Sequence, residues 1–511
     1  MYGCLILDFL RNLFVQTVLI FVQTNQRIRA INTSPFKLQS WSAVSTNLID
    51  QLDSIFKPSS VAIIGAGGDF AKWGGRLFIR LLESKFKGAV YPVNPKHSEI
   101  LGVKAYASLA DIDGSVDLAV LCLPAAKIPG LMAECAKKGV KGAVIITADF
   151  AETGQTGKDL EQEIVRIARQ GGIRFIGPNC MGIWSSAVGL NLALPITPIS
   201  GQLAFVSQSG SYGITLSRIA DEKGYGLSKF ISFGNQADLL VSEYLEYLAR
   251  DPDTKVIALY LEGLKDGREF FETARRVTRI KPILIFKGGS SPQGARATVS
   301  HTASIAGEDR IFDAMCRQAG IIRVTEVEHM FIMAEALIRQ PLPGGNRIAV
   351  VGSGGQGVVS TDALATHGLD VIDLDDVAKA KLKEVLPAHA PVPGNPVDFA
   401  GGTRSAVQEA EVAHILASLD YIDGIITNVP VHLTSAKSVA DYMKGSIEGA
   451  ELFAEIPEKY GKPVVVLQSK GIINQNILDV LKSAGIPIYD RPEDCSRALA
   501  ALVKYARIKN L

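Results

Sequence analysis

The sequence has no long apolar run. Its most hydrophobic early stretch, residues 13–22, is broken by Gln16 and Thr17 and is shorter than the ~20 residues a bilayer span requires. Charge of either sign is not in excess: 53 basic and 52 acidic residues leave a net charge of +1. That balance gives no support to a nucleic-acid surface. Cysteine is sparse. Cys4, Cys122, Cys135, Cys180, Cys316 and Cys495 lie far apart with no C-x-x-C pair, which argues against a disulfide framework or a structural zinc and suits a reducing cytosol. No metal site, nucleic-acid partner or membrane partner is therefore expected, and a cytoplasmic location is. What is present is a globular composition, 47% hydrophobic and 21% charged over 511 residues, a length that suggests about three domains.

The first 46 residues stand apart from the rest. As a signal peptide they have a weak basic end, with Asp8 beside Arg11, and no clear small-residue cleavage site. Residues 25–45 are polar and patternless, and the next methionine, Met132, falls inside a patterned region. Residues 1–46 are expected to be a disordered tail or a mis-called start, the true start being a non-Met codon near Val44 or Leu48. A targeting segment or an anchor is the alternative.

From residue 47 strands and helices alternate, the signature of doubly wound α/β domains. A short helix over 48–56 precedes a strand at 61–64, which runs into Gly65-Ala66-Gly67-Gly68 and a helix over about 73–83. Glycines after a first strand let backbone N–H groups approach phosphate oxygens at a helix N-terminus. The dinucleotide fingerprint nevertheless fails, because Phe70 stands where its third glycine belongs. No acidic residue ends the second strand, 89–93, to hold a ribose. It runs instead into Asn94-Pro95-Lys96. A lysine there favours a phosphate-bearing ligand over NAD, although a solvated loop cation would read the same. Further strands are expected at 118–123 and 142–147.

A tight turn, Gly177-Pro178-Asn179-Cys180-Met181-Gly182, leads into a second series. A strand at 203–206 opens through Gln208-Ser209-Gly210-Ser211 into a helix, pointing free N–H groups and the positive dipole end at any anion placed there. Strands at 229–233 and 256–261 end at Asp238 and at Glu262-Gly263. A fourth, 283–286, leads through a Gly/Ser loop to His301, which sits among Ser, Thr, Ala and Gly. A helix from Glu308 is expected to place Ile311, Phe312, Met315 and Ala319 on one face. Ligands bind at the carboxyl ends of parallel strands, so the Ser209, Asp238, Glu262 and His301 loops should converge on one sheet edge. A third series begins near Asn346, with a glycine-rich turn at 352–357 that lacks the G-K-[ST] of a Walker A loop.

These runs, with Ser300–Gly307 (Ser-His-Thr-Ala-Ser-Ile-Ala-Gly) and Asn395-Pro396-Val397-Asp398, resemble the α subunit of nucleoside-diphosphate-forming acyl-CoA synthetases. The likeness is greatest to the ADP-forming acetyl-CoA synthetases and more distant to succinyl-CoA synthetase α. It covers nearly everything from residue 47 onward. It implies an α/β chain of a Rossmann-like CoA-binding domain (47–182), a phosphohistidine ligase domain (183–343) and a second flavodoxin-like domain (344–511). It implies that His301 is phosphorylated, that Glu262 orients it, and that Ser209, Gly210 and Ser211 stabilise the phosphohistidine. CoA would be held by Gly65, Gly67, Gly68, Asn94 and Lys96. Thr147-Ala148-Asp149-Phe150 departs from the Ser-Ala-Gly-Phe usual in relatives.

The chemistry is coherent. Neutral imidazole, with an unperturbed pKa of ~6.5, is a nucleophile near pH 7, and a carboxylate on its other nitrogen fixes the tautomer and stabilises the cation formed. The resemblance implies reversible conversion of acyl-CoA, phosphate and ADP to acid, CoA and ATP through acyl phosphate and phosphohistidine. Three αβ domains leave no room for an ATP-grasp domain. ATP/ADP, and Mg with it, would therefore bind on a separate ATP-grasp β subunit. A nicotinamide oxidoreductase and a non-catalytic CoA-binding regulator are the rival readings.

Overall fold

A computed structural model describes residues 46–296, 308–352, 354–400, 405–429, 438–468 and 475–510. The leader up to residue 45 and the His301 segment, 297–307, lie outside the described residues.

Three parallel sheets follow one another along the chain. The first contains β1 (Ser60–Ile64), β2 (Ala89–Val93), β3 (Leu118–Leu121), β4 (Gly142–Ile145) and β5 (Arg174–Ile176), in the order β2-β1-β3-β4-β5. The second opens with two strands that sequence reasoning did not find, β6 (Gly182–Ser185) and β7 (Leu190–Asn191). It continues with β8 (Ser200–Ser207), β9 (Leu227–Ser232), β10 (Val256–Leu261), β11 (Ile283–Lys287) and β12 (Ile322–Val324). Its order is β12-β11-β10-β8-β9-β6-β7, with β6 antiparallel to β9. The third contains β13 (Ile348–Gly352), β14 (Val397–Asp398), β15 (Gly424–Asn428), β16 (Val464–Leu467) and β17 (Ile488–Tyr489), in the order β14-β13-β15-β16-β17.

Counted within its own parallel set, each sheet therefore runs 2-1-3-4-5, the flavodoxin-like order, whose ligand crevice opens where strand order reverses, between the first and third strands. The strands are apolar without alternation because helices cover both faces: β1, β3, β4 and β16 are buried at every residue. The helix α1 (Val327–Arg339) joins the second and third domains by packing two ways. Met330, Phe331 and Ala334 enter the second core, while Ile332 and Ala336 enter the third. The C-terminal helix α2 (Pro492–Lys509) does likewise, through Tyr505 on one side and Leu499 and Leu502 on the other. No helix among the described residues is long and apolar enough to cross a membrane.

Candidate active site

The first glycine turn is built to approach something. Gly65 has φ +91°, and its N–H donates to the Val93 carbonyl at 3.0 Å. The next helix starts so close that a Cβ on Gly74 would sit 1.9 Å from the Gly65 carbonyl oxygen. Gly74 was not singled out from the sequence, yet this contact requires it. Gly67 and Gly68 face nearly open space: the nearest atoms to an added Cβ are 4.0 and 3.7 Å away. Asn94 joins the same turn, its Nδ2 donating to the Ala66 carbonyl at 2.7 Å and its Oδ1 accepting from the Lys96 N–H at 3.0 Å. The Lys96 side chain is exposed. The five expected CoA residues thus form one rim at the carboxyl ends of β1 and β2.

In the second domain, β8 leads through Gln208 and Ser209 into the helix Gly210–Glu222. A Cβ on Gly210 would meet Met181 Cγ at 2.0 Å, so only glycine lets this helix start against the 177–182 turn. Ser209 is buried and Ser211 exposed. Glu262, 6% exposed, follows β10. The link between the two loops is Gln208, which the sequence reading passed over: its Oε1 accepts from the Glu262 N–H at 2.8 Å and the Gly263 N–H at 3.0 Å. Only the neighbouring-strand register (Ser207 beside Tyr260) could have drawn attention to it. Tyr260 lies edge-on to Tyr212 at 4.9 Å and stacks on Phe286 at 5.8 Å. Burial, then the Glu262 carboxylate, hold the Tyr260 phenol well above its ordinary pKa, and the two side chains are hydrogen-bonded.

Between the first and second domains lies a cavity of about 1340 Å³. Cys122, Thr147 and Glu152 line it from one side, and Ser209, Gly210, Ser211 and Gly263 from the other. Gly65, Gly67, Gly68, Asn94 and Lys96 are not in its wall; Trp73, at the start of the helix after the glycine turn, is. Asn235 crosses between the domains. Its Nδ2 donates to Glu152 and, at 2.9 Å, to Glu161, while its Oδ1 accepts from Asn179. Asp238 was expected at the ligand edge beside Glu262. It is instead wholly buried, accepting from Arg169 at 3.0 Å, Arg174 at 2.8 Å and the Phe175 N–H at 3.1 Å. It fastens the loop rather than facing a substrate, because two guanidinium groups of the first domain claim it. Asp149 adopts φ +73°, the left-handed region that glycine enters at no steric cost. Its N–H donates to Glu152 at 2.8 Å. Cys122 and Cys180 are free thiols, each with its pKa pushed by burial up to about 12. Among the described residues no group of His, Cys, Asp and Glu could hold a metal ion.

The fold and these turns define a CoA-binding domain followed by ligase domains, and comparison with known proteins gives the same order. A CoA binding domain family matches residues 59–185, the succinyl-CoA ligase like flavodoxin domain matches 200–337, and the Ligase-CoA domain matches 347–510. The chain is 40% identical to the α subunit of acetate–CoA ligase (ADP-forming) II of Pyrococcus furiosus, over 89% of this chain and 98% of that one. It is 36% identical to acetate–CoA ligase (ADP-forming) I of Archaeoglobus fulgidus, covering 89% of this chain but 64% of the relative. The acetyl-coenzyme A synthetase 1 of Ca. Korarchaeum cryptofilum, solved in complex with phosphate and ADP, superposes with a TM-score of 0.81 at 35% identity, covering 90% and 97% of the two chains. The chain belongs to the ADP-forming acetate–CoA ligase family.

Proposed function

We propose that this chain is the α subunit of a nucleoside-diphosphate-forming acyl-CoA synthetase, with His301 as its phosphoryl carrier. The observation that supports this best is the shared cavity, which the CoA-binding domain walls on one side and the Ser209–Gly210–Ser211 helix start walls on the other. CoA would enter across the rim of Gly65, Gly67, Gly68, Asn94 and Lys96, with its thiol end toward the cavity. Acyl-CoA and phosphate would exchange there to acyl phosphate and CoA. The His301 imidazole would then take the phosphoryl group, releasing the carboxylate, and pass it to ADP. Glu262, pinned through its backbone by Gln208, would orient the imidazole and stabilise its cation. The N–H groups at Ser209, Gly210 and Ser211 would balance the phosphoryl charge.

The nucleotide, with Mg, would bind to a partner. The P. furiosus relative, 98% of which this chain covers, is named a subunit α. The longer A. fulgidus relative has a further third beyond the match, the size of part an ATP-grasp β subunit would supply. The free thiols are consistent with a reducing, cytoplasmic setting.

The test is phosphorylation in the presence of the β subunit and γ-labelled ATP. An acid-labile, base-stable phosphate on His301 is expected. His301→Gln should abolish it and acyl-CoA formation while CoA binding persists, and Glu262→Gln should slow it by ~100-fold or more, as loss of an orienting carboxylate does elsewhere. Label on another residue would overturn the assignment.

A further inference from the structure

The loop after β9 is fastened to the first domain twice, by backbone and by side chain. The Asn235 N–H donates to the Pro178 carbonyl at 3.0 Å, and the Ala237 N–H to the Gly177 carbonyl at 3.2 Å. These bonds dock the loop on the 177–182 turn. Gly234, with φ +58°, permits the approach: a Cβ there would sit 2.2 Å from the Pro178 carbonyl oxygen. The Asn235 side chain then reaches past the turn to Glu152 and Glu161, on the first domain's wall of the large cavity.

An amide suits this position. Its nitrogen offers two hydrogens and its oxygen accepts. Both hydrogens go to carboxylates, and the oxygen accepts from the Asn179 amide at 3.3 Å. Aspartate would instead set a third negative charge beside two. Lys265 completes the group, 3.6 Å from Glu161 and donating to the Gln236 carbonyl at 2.9 Å. The two carboxylates are carried differently. Glu161, 7% exposed, belongs to the helix Gln155–Gln170. Glu152 sits on a short loop after β4, between Asp149 at φ +73° and Gly154 at φ +109° and ψ −158°, a backbone region essentially reserved for glycine. Phe150, wholly buried, roots that loop in the first core. Ala148, Ala151, Glu152 and Gly154 all line the cavity. The loop is thus tied to its own domain through Asp149 and Phe150, and to the second domain through Asn235.

We infer that Asn235 is a positioning residue for the thiol-transfer step. It holds the 149–154 loop toward the second domain, so that the loop keeps the thiol end of CoA facing the Ser209–Gly210–Ser211 helix start. This rests on the synthetase reading and adds a residue to it. In that step the thiol sulfur attacks the acyl carbon of the acyl phosphate. The C–S bond forms, the C–O bond to phosphate breaks, and the thiol proton leaves on the phosphate. Such atoms must be held about 3–3.5 Å apart, and a misplacement of about 1 Å can cost ~100-fold in rate. In the proposed binding mode CoA is gripped at the rim of Gly65, Gly67, Gly68, Asn94 and Lys96, which is not in the cavity wall. A slack loop therefore costs rate and not affinity. Phosphorylation of His301 by ATP involves neither CoA nor this loop.

The assembled enzyme, this chain with its β subunit, tests the inference. Asn235→Ala should lower kcat for acyl-CoA formation at least tenfold, change KM for CoA less than threefold, and leave ATP-dependent labelling of His301 at its normal rate. Glu152→Ala should show the same split, and it decides the matter if Asn235→Ala fails to fold. Glu152→Gln, whose amide oxygen still accepts from Asn235, should restore most of the turnover lost in Glu152→Ala. Labelling and turnover that fall together would mean that Asn235 only stabilises the fold, and unchanged turnover would mean that the loop needs no holding. Either result overturns the inference. So does a Glu152→Gln enzyme as slow as Glu152→Ala, because the carboxylate would then act on the thiol itself. Failure of the unaltered enzyme to label His301 or to form acyl-CoA would instead count against the synthetase reading.

Discussion

The second domain meets its two neighbours in opposite ways. Toward the first domain it presents ions around open space. Asp238 is clasped by Arg169 and Arg174, Arg174 also reaches Glu243 at 2.7 Å, and Asn235 spans Glu152 and Glu161 at the cavity wall. Burial works against the Arg174 charge, but Asp238 and Glu243 outweigh it and hold its pKa above the ordinary value. Toward the third domain the second presents α1, which packs with the third domain's α2 through aliphatic and aromatic side chains. The one carboxyl between Tyr225 and Tyr489 there, Glu335, is pushed by burial up to about 7, against the pull of Arg339 and Lys482 and the hydrogen bonds of both tyrosines. Tyr489 also donates its hydroxyl proton to the Ile332 carbonyl at 2.9 Å. One flank keeps charges fully formed beside a cavity where anions are handled. The other raises the pKa of its carboxyl by burying it among aromatic and aliphatic side chains.

The largest test of that contrast is at Asp238. Asp238→Ala leaves Nε of Arg174, a side chain only 16% exposed, and the Phe175 N–H without their acceptor, Glu243 still holding the far side of the guanidinium. Breaking a buried pair from one side costs about 3–5 kcal/mol, and urea denaturation should show a loss of that size. A loss below about 1 kcal/mol would mean that the ionic flank is held by something else.

Glu335→Gln probes the other flank, with a sign set by pH. The folded pKa of Glu335 is about 7 against an ordinary 4.5, so between those values the folded chain binds the proton that the unfolded chain releases. Stability from this group is present in full below pH ~4.5 and is lost as pH rises through 7, by at most about 3 kcal/mol. The glutamine cannot ionise. It should therefore stabilise the chain by about 1–3 kcal/mol at pH 8 and by almost nothing at pH 4.5, read as a Tm difference that grows with pH. An equal shift at both pH values would mean that Glu335 is ionised in the fold.

The parallel strands were legible because, covered on both faces, they are largely apolar; β1, β2 and β10 fall within a residue of their expected bounds. β6 and β7 were missed because antiparallel strands of only four and two residues carry too little pattern. The candidate site divides in the same way. Ser209, Gly210 and Glu262 drew attention because each follows a strand and contributes a group of evident chemistry. Gln208 and Asn235 did not, because their contacts depend on which groups of another strand or domain they reach. Asp238 was placed at the right edge with the wrong orientation, since its arginine partners lie more than sixty residues earlier.

The smallest expected effect sharpens the contrast from outside both flanks. Lys96 is exposed, and among the described residues its backbone N–H donates to Asn94. If it contacts a CoA phosphate, Lys96→Ala should weaken CoA binding by about 1.5–3 kcal/mol, the range for a hydrogen bond to a charged group, and leave urea stability unchanged. Because the pair would lie in solvent, the loss should shrink as salt is raised, the screening length falling from about 10 Å at 0.1 M to about 3 Å at 1 M. The buried Asp238 contacts are shielded from that screening, so the cost of Asp238→Ala should persist at high salt. Calorimetric titrations at the two salt concentrations would separate the cases: a Lys96→Ala loss that does not fall with salt would place that lysine in a dry contact, and an unchanged affinity would return it to the solvated loop.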